Sequence, residues 1–181
     1  MVGKQTLLPH YFLAKKRNFR YNKSGDDMKI NYSDEKLMKE KPSIFLAGPI
    51  PRDQVTKNWK EEALKILNQL QFSGIVYIPE KKTKVVMEGN KDEMNWEKEA
   101  MENADILVFW IPRSFPDMLG LTTNIEFGIW LKSGKIIYGR PDDSFRNEYL
   151  DVIFEEEYHE KPYRSLEELL KETVRRLTKG K

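Results

Sequence analysis

The sequence predicts an α/β domain built on a parallel sheet, and three observations carry that expectation. Short apolar runs alternate with stretches of helical periodicity. The runs are apolar throughout rather than at every second residue, as strands covered on both faces are. Each run also stops at Gly or Pro: Gly48-Pro49 after Ala47, Pro79 after Ile78, Pro112 after Ile111 and Gly139-Arg140-Pro141 after Tyr138. In such sheets ligands bind outside the carboxyl ends of the strands, so those junctions are where chemistry is sought.

The elements follow in order. Ser43 to Ala47 is a first buried strand, and Asn58 to Phe72 is a helix with Trp59, Ala63, Ile66, Leu67 and Leu70 as its apolar stripe. Ile75 to Ile78 is a second strand, and Lys91 to Ala104 a helix leading into the strand Asp105 to Ile111. Thr122 to Leu131 is helical, with Gly134 beyond its end, and Lys135 to Tyr138 is a fourth strand. A short fifth strand is expected around Lys161 to Arg164. Ser165 and Glu168 then open the last helix as a capping box. Residues 1–42 lack sustained periodicity and end at Pro42, so a disordered basic arm (1–42) is expected before a compact domain (43–181).

Composition narrows the function. Across 181 residues, 31 Lys and Arg face 29 Asp and Glu, a net charge of +2. That balance argues against a coat for nucleic acid, so no direct nucleic-acid binding is expected. The absence of Cys excludes disulfides, thiolate metal sites and cysteine nucleophiles. Two distant histidines, His10 and His159, make a histidine metal site or a Ser-His-Asp triad a poor fit. Neither G-x-G-x-x-G nor a P-loop occurs, so no nucleotide cofactor and no metal are expected. No apolar run reaches membrane-spanning length, and the N-terminus does not read as a signal peptide. A soluble intracellular protein, cytoplasmic or nuclear, is the expectation.

Residues 120–128, Gly-Leu-Thr-Thr-Asn-Ile-Glu-Phe-Gly, open a helix after the third apolar strand and are the most informative stretch. With Thr123 as N-cap, Glu126 is the third helical residue. One reading makes it a capping-box glutamate. The other makes it a carboxylate kept ionised by the helix start, and so a preoriented nucleophile. Glu97, on the preceding helix, is a surface charge or a second carboxyl converging on the same crevice. Two such carboxyls suit glycosidic cleavage, one attacking the anomeric carbon and one handling the leaving group's proton. Phe45, Trp96 and Trp110 are core residues or stacking surfaces for a base.

Taken in order, Phe45-Leu46-Ala47-Gly48-Pro49, Trp96-Glu97, Ala104-Asp105, Phe109-Trp110-Ile111-Pro112, Thr122-Thr123-Asn124-Ile125-Glu126-Phe127-Gly128, Gly134-Lys135 and Gly139-Arg140-Pro141 resemble a nucleoside 2-deoxyribosyltransferase-like domain. The resemblance covers about residues 43–179. It implies a flavodoxin-like, Rossmann-like three-layer fold with a five-stranded parallel sheet. It also implies cleavage or transfer of the base–sugar bond of (deoxy)nucleosides or nucleotides through a glycosyl-enzyme intermediate. Glu126 matches the nucleophile, and Glu97 stands where an acidic residue contacts or protonates the base. Phe45, Gly48, Pro49, Trp96, Thr122, Thr123 and Asn124 are then substrate-binding candidates. Homo-oligomers are usual in the family. The chain departs from some members by having Ile44 and Phe45 where a first-strand Tyr stands, and Gly120 where an Asp precedes the nucleophile by six residues. Arg113 and Arg140, at strand ends, are solvated loop residues or partners for a 5′-phosphate.

In the arm, Gln5-Thr6-Leu7-Leu8-Pro9-His10-Tyr11-Phe12 precedes Lys15-Lys16-Arg17 and resembles the PCNA-interacting peptide, or PIP box, of proteins that dock on sliding clamps. In that mode Leu8, Tyr11 and Phe12 enter an apolar pocket and Gln5 a polar one. The leading expectation is thus a deoxyribosyltransferase or N-glycosidase recruited to a clamp. The competing one is a nucleotide-binding or clamp-associated module without catalysis.

Overall fold

The computed structural model describes residues 27–52, 56–82 and 91–179. Five parallel strands form one sheet: β1 (Lys29–Tyr32), β2 (Ser43–Ala47), β3 (Ile75–Ile78), β4 (Ile106–Trp110) and β5 (Ile136–Gly139). Their spatial order is β1-β3-β2-β4-β5. The helices are α1 (Trp59–Gln69), α2 (Lys91–Asn103), α3 (Leu121–Trp130), α4 (Glu148–Tyr158) and α5 (Leu166–Lys179). Phe45, Tyr77, Phe109, Phe127, Tyr138 and Phe154 pack one face of the sheet under α2, α3 and α4. Ile44, Leu46, Val76 and Val108 pack the other face against α1 and α5. Strands buried on both sides explain the unbroken apolar runs.

The α/β three-layer class is therefore as expected, with two differences in its elements. The stretch anticipated as a fifth strand supplies only a single parallel bridge, Gly139 to Tyr163. The fifth strand is instead β1, inside the stretch expected to be a disordered arm. Asn31, fully buried, shapes the turn after it by accepting from the Met38 N–H (2.8 Å) and donating to the Lys36 carbonyl (3.2 Å). Helix α4 lies where no helix was expected. With the Tyr163 bridge appended, β3-β2-β4-β5 keeps the flavodoxin-like order, and β1 is added outside β3.

The polar clamp that seats α4 is Asp151. Its carboxylate accepts from the Tyr138 hydroxyl (2.9 Å) and from Arg140 Nε and Nη2 (3.0 and 2.7 Å). Burial opposes its charge, but the bonds from Arg140 and Tyr138 outweigh that and hold its pKa below the usual carboxylate range.

Chain reversal at the carboxyl edge depends on Gly48, whose φ is +148°. A Cβ there would stand 2.0 Å from the Trp110 carbonyl oxygen and 2.9 Å from the Trp59 ring. Gly48→Ala should lower the melting temperature by at least several degrees, because the obstruction is backbone and cannot swing aside. An unchanged thermal transition would show that the loop can relax.

Candidate active site

Two strands that diverge in the sheet create the crevice. The chain leaves β2 toward β3 on one side and leaves β4 toward β5 on the other, so an opening forms above the carboxyl ends of β2 and β4. Its rim includes Gly48 and Pro49 after β2 and the N-terminus of α3. Gly120 caps α3 in the left-handed conformation (φ +64°), with Pro49 Cβ only 3.0 Å from where its own Cβ would be. The buried Trp59 indole N–H bonds the Pro49 carbonyl (2.9 Å), fixing α1 to the same loop.

Within this frame Glu97 of α2 and Glu126 of α3 meet. Helix α3 starts at Leu121, not after Thr123, so Glu126 is its sixth residue rather than its third. The expected stabilisation by free N–H groups is therefore missing, and the electrostatics reverse. Burial raises the Glu126 pKa to about 7, and the neighbouring Glu97 charge and the hydrogen bond to it push the same way. Glu97 is also raised by burial, with Lys60 and the Glu126 hydrogen bond pulling it back. Desolvation and the adjacent carboxyl thus favour the protonated form of Glu126, whose hydrogen bond with Glu97 pulls the Glu97 pKa back down.

Lys60, in the first turn of α1, is the site residue that sequence reasoning missed. It is 3% exposed, and its Nζ lies 2.9 Å from Glu80 Oε1, just beyond β3. A lysine beside Trp59 and Glu61 reads as ordinary helix surface, and no sequence signal marks it.

The other anticipated residues divide. Thr123 is buried at the foot of α3 beside Gly120, and Thr122 is exposed at its start. Phe45 is fully buried in the core. Trp96 packs edge-on to Tyr77 with ring centroids 6.2 Å apart, and Trp110 is buried on the opposite face of the sheet. These three rings pack within the protein in this structure. Asn124 accepts from Arg113 Nη2 (2.5 Å), while Arg113 Nη1 donates to the Arg146 carbonyl (2.8 Å). Asn124 and Glu126 point roughly 200° apart around α3, which places Arg113 on the α4 side, away from the carboxyl pair. Arg140 is held by Asp151. Both arginines thus have protein partners in this structure. The arm motif at Gln5, Leu8, Tyr11 and Phe12 lies outside the described residues.

Among the described residues no acidic or histidine cluster is arranged to hold a metal ion, and no helix is long and apolar enough to cross a membrane. A doubly wound sheet with two carboxyls meeting at its switch point defines the class of site. The family model described as nucleoside 2-deoxyribosyltransferase like matches residues 41–144. The chain belongs to that family, which indicates an enzyme of glycosyl transfer acting on nucleosides. No curated protein matches the chain.

Proposed function

We propose that the protein cleaves the N-glycosidic bond of (deoxy)nucleosides, with Glu126 as nucleophile and Glu97 as acid, and passes the sugar to a second base or to water. The observation that carries this reading is the meeting of two half-buried carboxyls, Glu97 and Glu126, at the crevice. Transfer of the Glu126 proton to Glu97 produces a nucleophile and an acid at once. The Glu126 carboxylate then bonds to C1′, the electron pair of the breaking C1′–N bond leaves with the base, and Glu97 delivers its proton to that base. A second base or a water, either one giving its proton to Glu97, next displaces the sugar from Glu126. Contact between the carboxyls supports a covalent route, since direct displacement by water needs them about 6.5–9.5 Å apart.

The test is a screen for free base released from deoxynucleosides, ribonucleosides and their 5′-monophosphates, with and without an acceptor base. Release by the wild type that Glu126→Gln abolishes supports the reading. Ligand binding measured by calorimetry without turnover would instead make the chain a binding module. Because Arg113 and Arg140 are engaged elsewhere, nucleosides are the favoured substrates over monophosphates.

We propose further that the chain self-associates through α3. Leu121, Ile125 and Ile129 form a ridge along its outer side at 66, 64 and 70% exposure, and Tyr149 of α4 adds to it at 75%. The exposed residues of α3 carry no charge, and Gly128 among them faces open space where a Cβ would touch nothing. A helix apolar on its inner and outer faces is one meant to be covered. Ile125→Asp combined with Ile129→Asp should yield a monomer by light scattering. A wild type already monomeric at micromolar concentration would refute the idea. Recruitment to a sliding clamp through residues 5–12 is the corresponding proposal for the arm. A peptide of residues 1–20 that fails to bind a clamp, or binds equally with Tyr11→Ala and Phe12→Ala, would end it.

A further inference from the structure

Helix α3 rests on the sheet along one narrow row. Of its ten residues Thr123 and Phe127 are buried, and Phe127 stands edge-on to Phe109 and Tyr138 with ring centroids 5.1 and 5.0 Å apart. Gly120 caps the helix without a side-chain hydrogen bond, and Leu121, Ile125 and Ile129 face outward. A helix seated on a single row is free to roll about it unless its flanks are tied. At about 100° per residue, Asn124 and Glu126 stand about 80° to either side of that row. Asn124 accepts from Arg113 Nη2 (2.5 Å) on one flank, and Glu126 meets Glu97 on the other. Among the described residues no other side-chain hydrogen bond joins α3 to the rest of the fold.

Arg113 is firmly held in its turn. It is 8% exposed and follows β4 at the carboxyl edge of the sheet. Its backbone N–H donates to Ser144 Oγ (2.8 Å), its carbonyl accepts from the Phe145 N–H (2.9 Å), and its Nη1 donates to the Arg146 carbonyl (2.8 Å). Arg146 presents that carbonyl from a left-handed backbone (φ +48°), which is costly for a residue with a Cβ. Stability alone does not explain the choice of arginine. Among the described residues no carboxylate pairs with it and its buried Nε has no partner, while burial opposes its charge. A buried cation left to neutral acceptors is a cost to the fold. What the guanidinium supplies is a planar fork that reaches two elements at once: the loop before α4 through Nη1, and α3 through Nη2.

We infer that Arg113 is the positioning residue that fixes the roll of α3 about its buried row, and with it the approach of Glu126 to Glu97. The inference rests on reading Glu126 as the nucleophile. Two carboxyls withdrawn from water resist being held together, so cutting the tie at Asn124 lets α3 roll until Glu126 turns toward solvent.

The experiment uses the full chain as wild type, Arg113→Met, Asn124→Ala and the double variant. Base release gives kcat and KM. The Glu126 carboxyl carbon is followed by ¹³C NMR against pH without substrate, its resonance being assigned with Glu126→Gln. Each single substitution should lower kcat by roughly tenfold to a hundredfold with KM little changed, as a small misplacement of a reacting group does. The double variant should be no slower than the slower single one, because both cut the same tie. Asn124→Ala removes no charge and changes an exposed position, yet the Glu126 titration should fall from about 7 toward the ordinary carboxylate range. Losses of kcat that add in the double variant, or a Glu126 titration that stays put in Asn124→Ala, overturn the inference. If Arg113→Met does not fold, the titration in Asn124→Ala decides the matter alone. A wild type that releases no base overturns the proposed function, while that titration still reports on the tie.

Discussion

Replacing Glu126 by Gln should lower the proposed base release by about a thousandfold or more, because it removes the atom that would bond to C1′. The fold should not suffer. Glutamine has the shape of the protonated acid that Glu126 already is for much of the time below pH 7, and its amide can still donate to Glu97. A measurable gain in stability should accompany the loss of activity. An unfolded Glu126 ionises near 4.5, whereas in the folded protein it keeps its proton up to about 7. Between those values the native state binds more protons than the unfolded one, so this residue's contribution falls as the pH rises through the window and stays low above it. Glu126→Gln escapes that penalty. Its melting temperature should exceed that of the wild type at pH 8 and match it below pH 4.5. Equal melting temperatures at pH 8 would mean that the carboxyl is not held protonated, and the proposed proton transfer to Glu97 would fall with it.

Asp151→Ala should destabilise the domain by about 3 kcal/mol, as breaking a buried pair by removing one partner generally does. The side chains of Asp151 and Arg140 are each only 12% exposed. Without Asp151 the Tyr138 hydroxyl loses its acceptor and the Arg140 guanidinium keeps only the Pro141 carbonyl (3.3 Å). Asp151 also binds α4 to the end of β5, so chemical denaturation should show the loss as a lower midpoint. The pH sense is opposite to that of Glu126. Because the folded-state pKa of Asp151 is depressed, its contribution is complete above the ordinary Asp value and disappears as the pH falls through the folded one. The gap between wild type and variant should therefore narrow in acid. A variant as stable as the wild type at neutral pH would show that the ion pair only balances its own desolvation.

Residue patterns that depend on neighbours along the chain were legible. Ser43 to Ala47, Ile75 to Ile78 and the strand before Pro112 read as buried strands because every side chain in them is apolar. Helix α1 read as a helix because Trp59, Ala63 and Leu67 recur every four residues and are buried as a stripe. The Glu97–Glu126 pairing was reached through the order of motifs, and the structure brings those two side chains together. Strand β1 was not legible. Lys29-Ile30-Asn31-Tyr32 carries one buried position, and that residue is an asparagine whose partners lie in the following turn. Helix α4 was hidden for a similar reason: its acidic run reads as solvated, while Leu150, Asp151 and Phe154 face inward. Thr123 misled as an N-cap because Gly120, in the left-handed conformation, starts α3 three residues earlier.

The amino-acid sequence alone determined the parallel sheet, most of its strands and helices, and the two acidic side chains worth pairing, since apolar runs, helical stripes and Gly/Pro stops are local properties of the chain. Tertiary structure decided that Glu126 lies withdrawn from water against Glu97, with its pKa raised. Desolvation and Coulomb interaction depend on distances through space, and the fold sets those distances by bringing Glu97 from α2 beside Glu126 from α3.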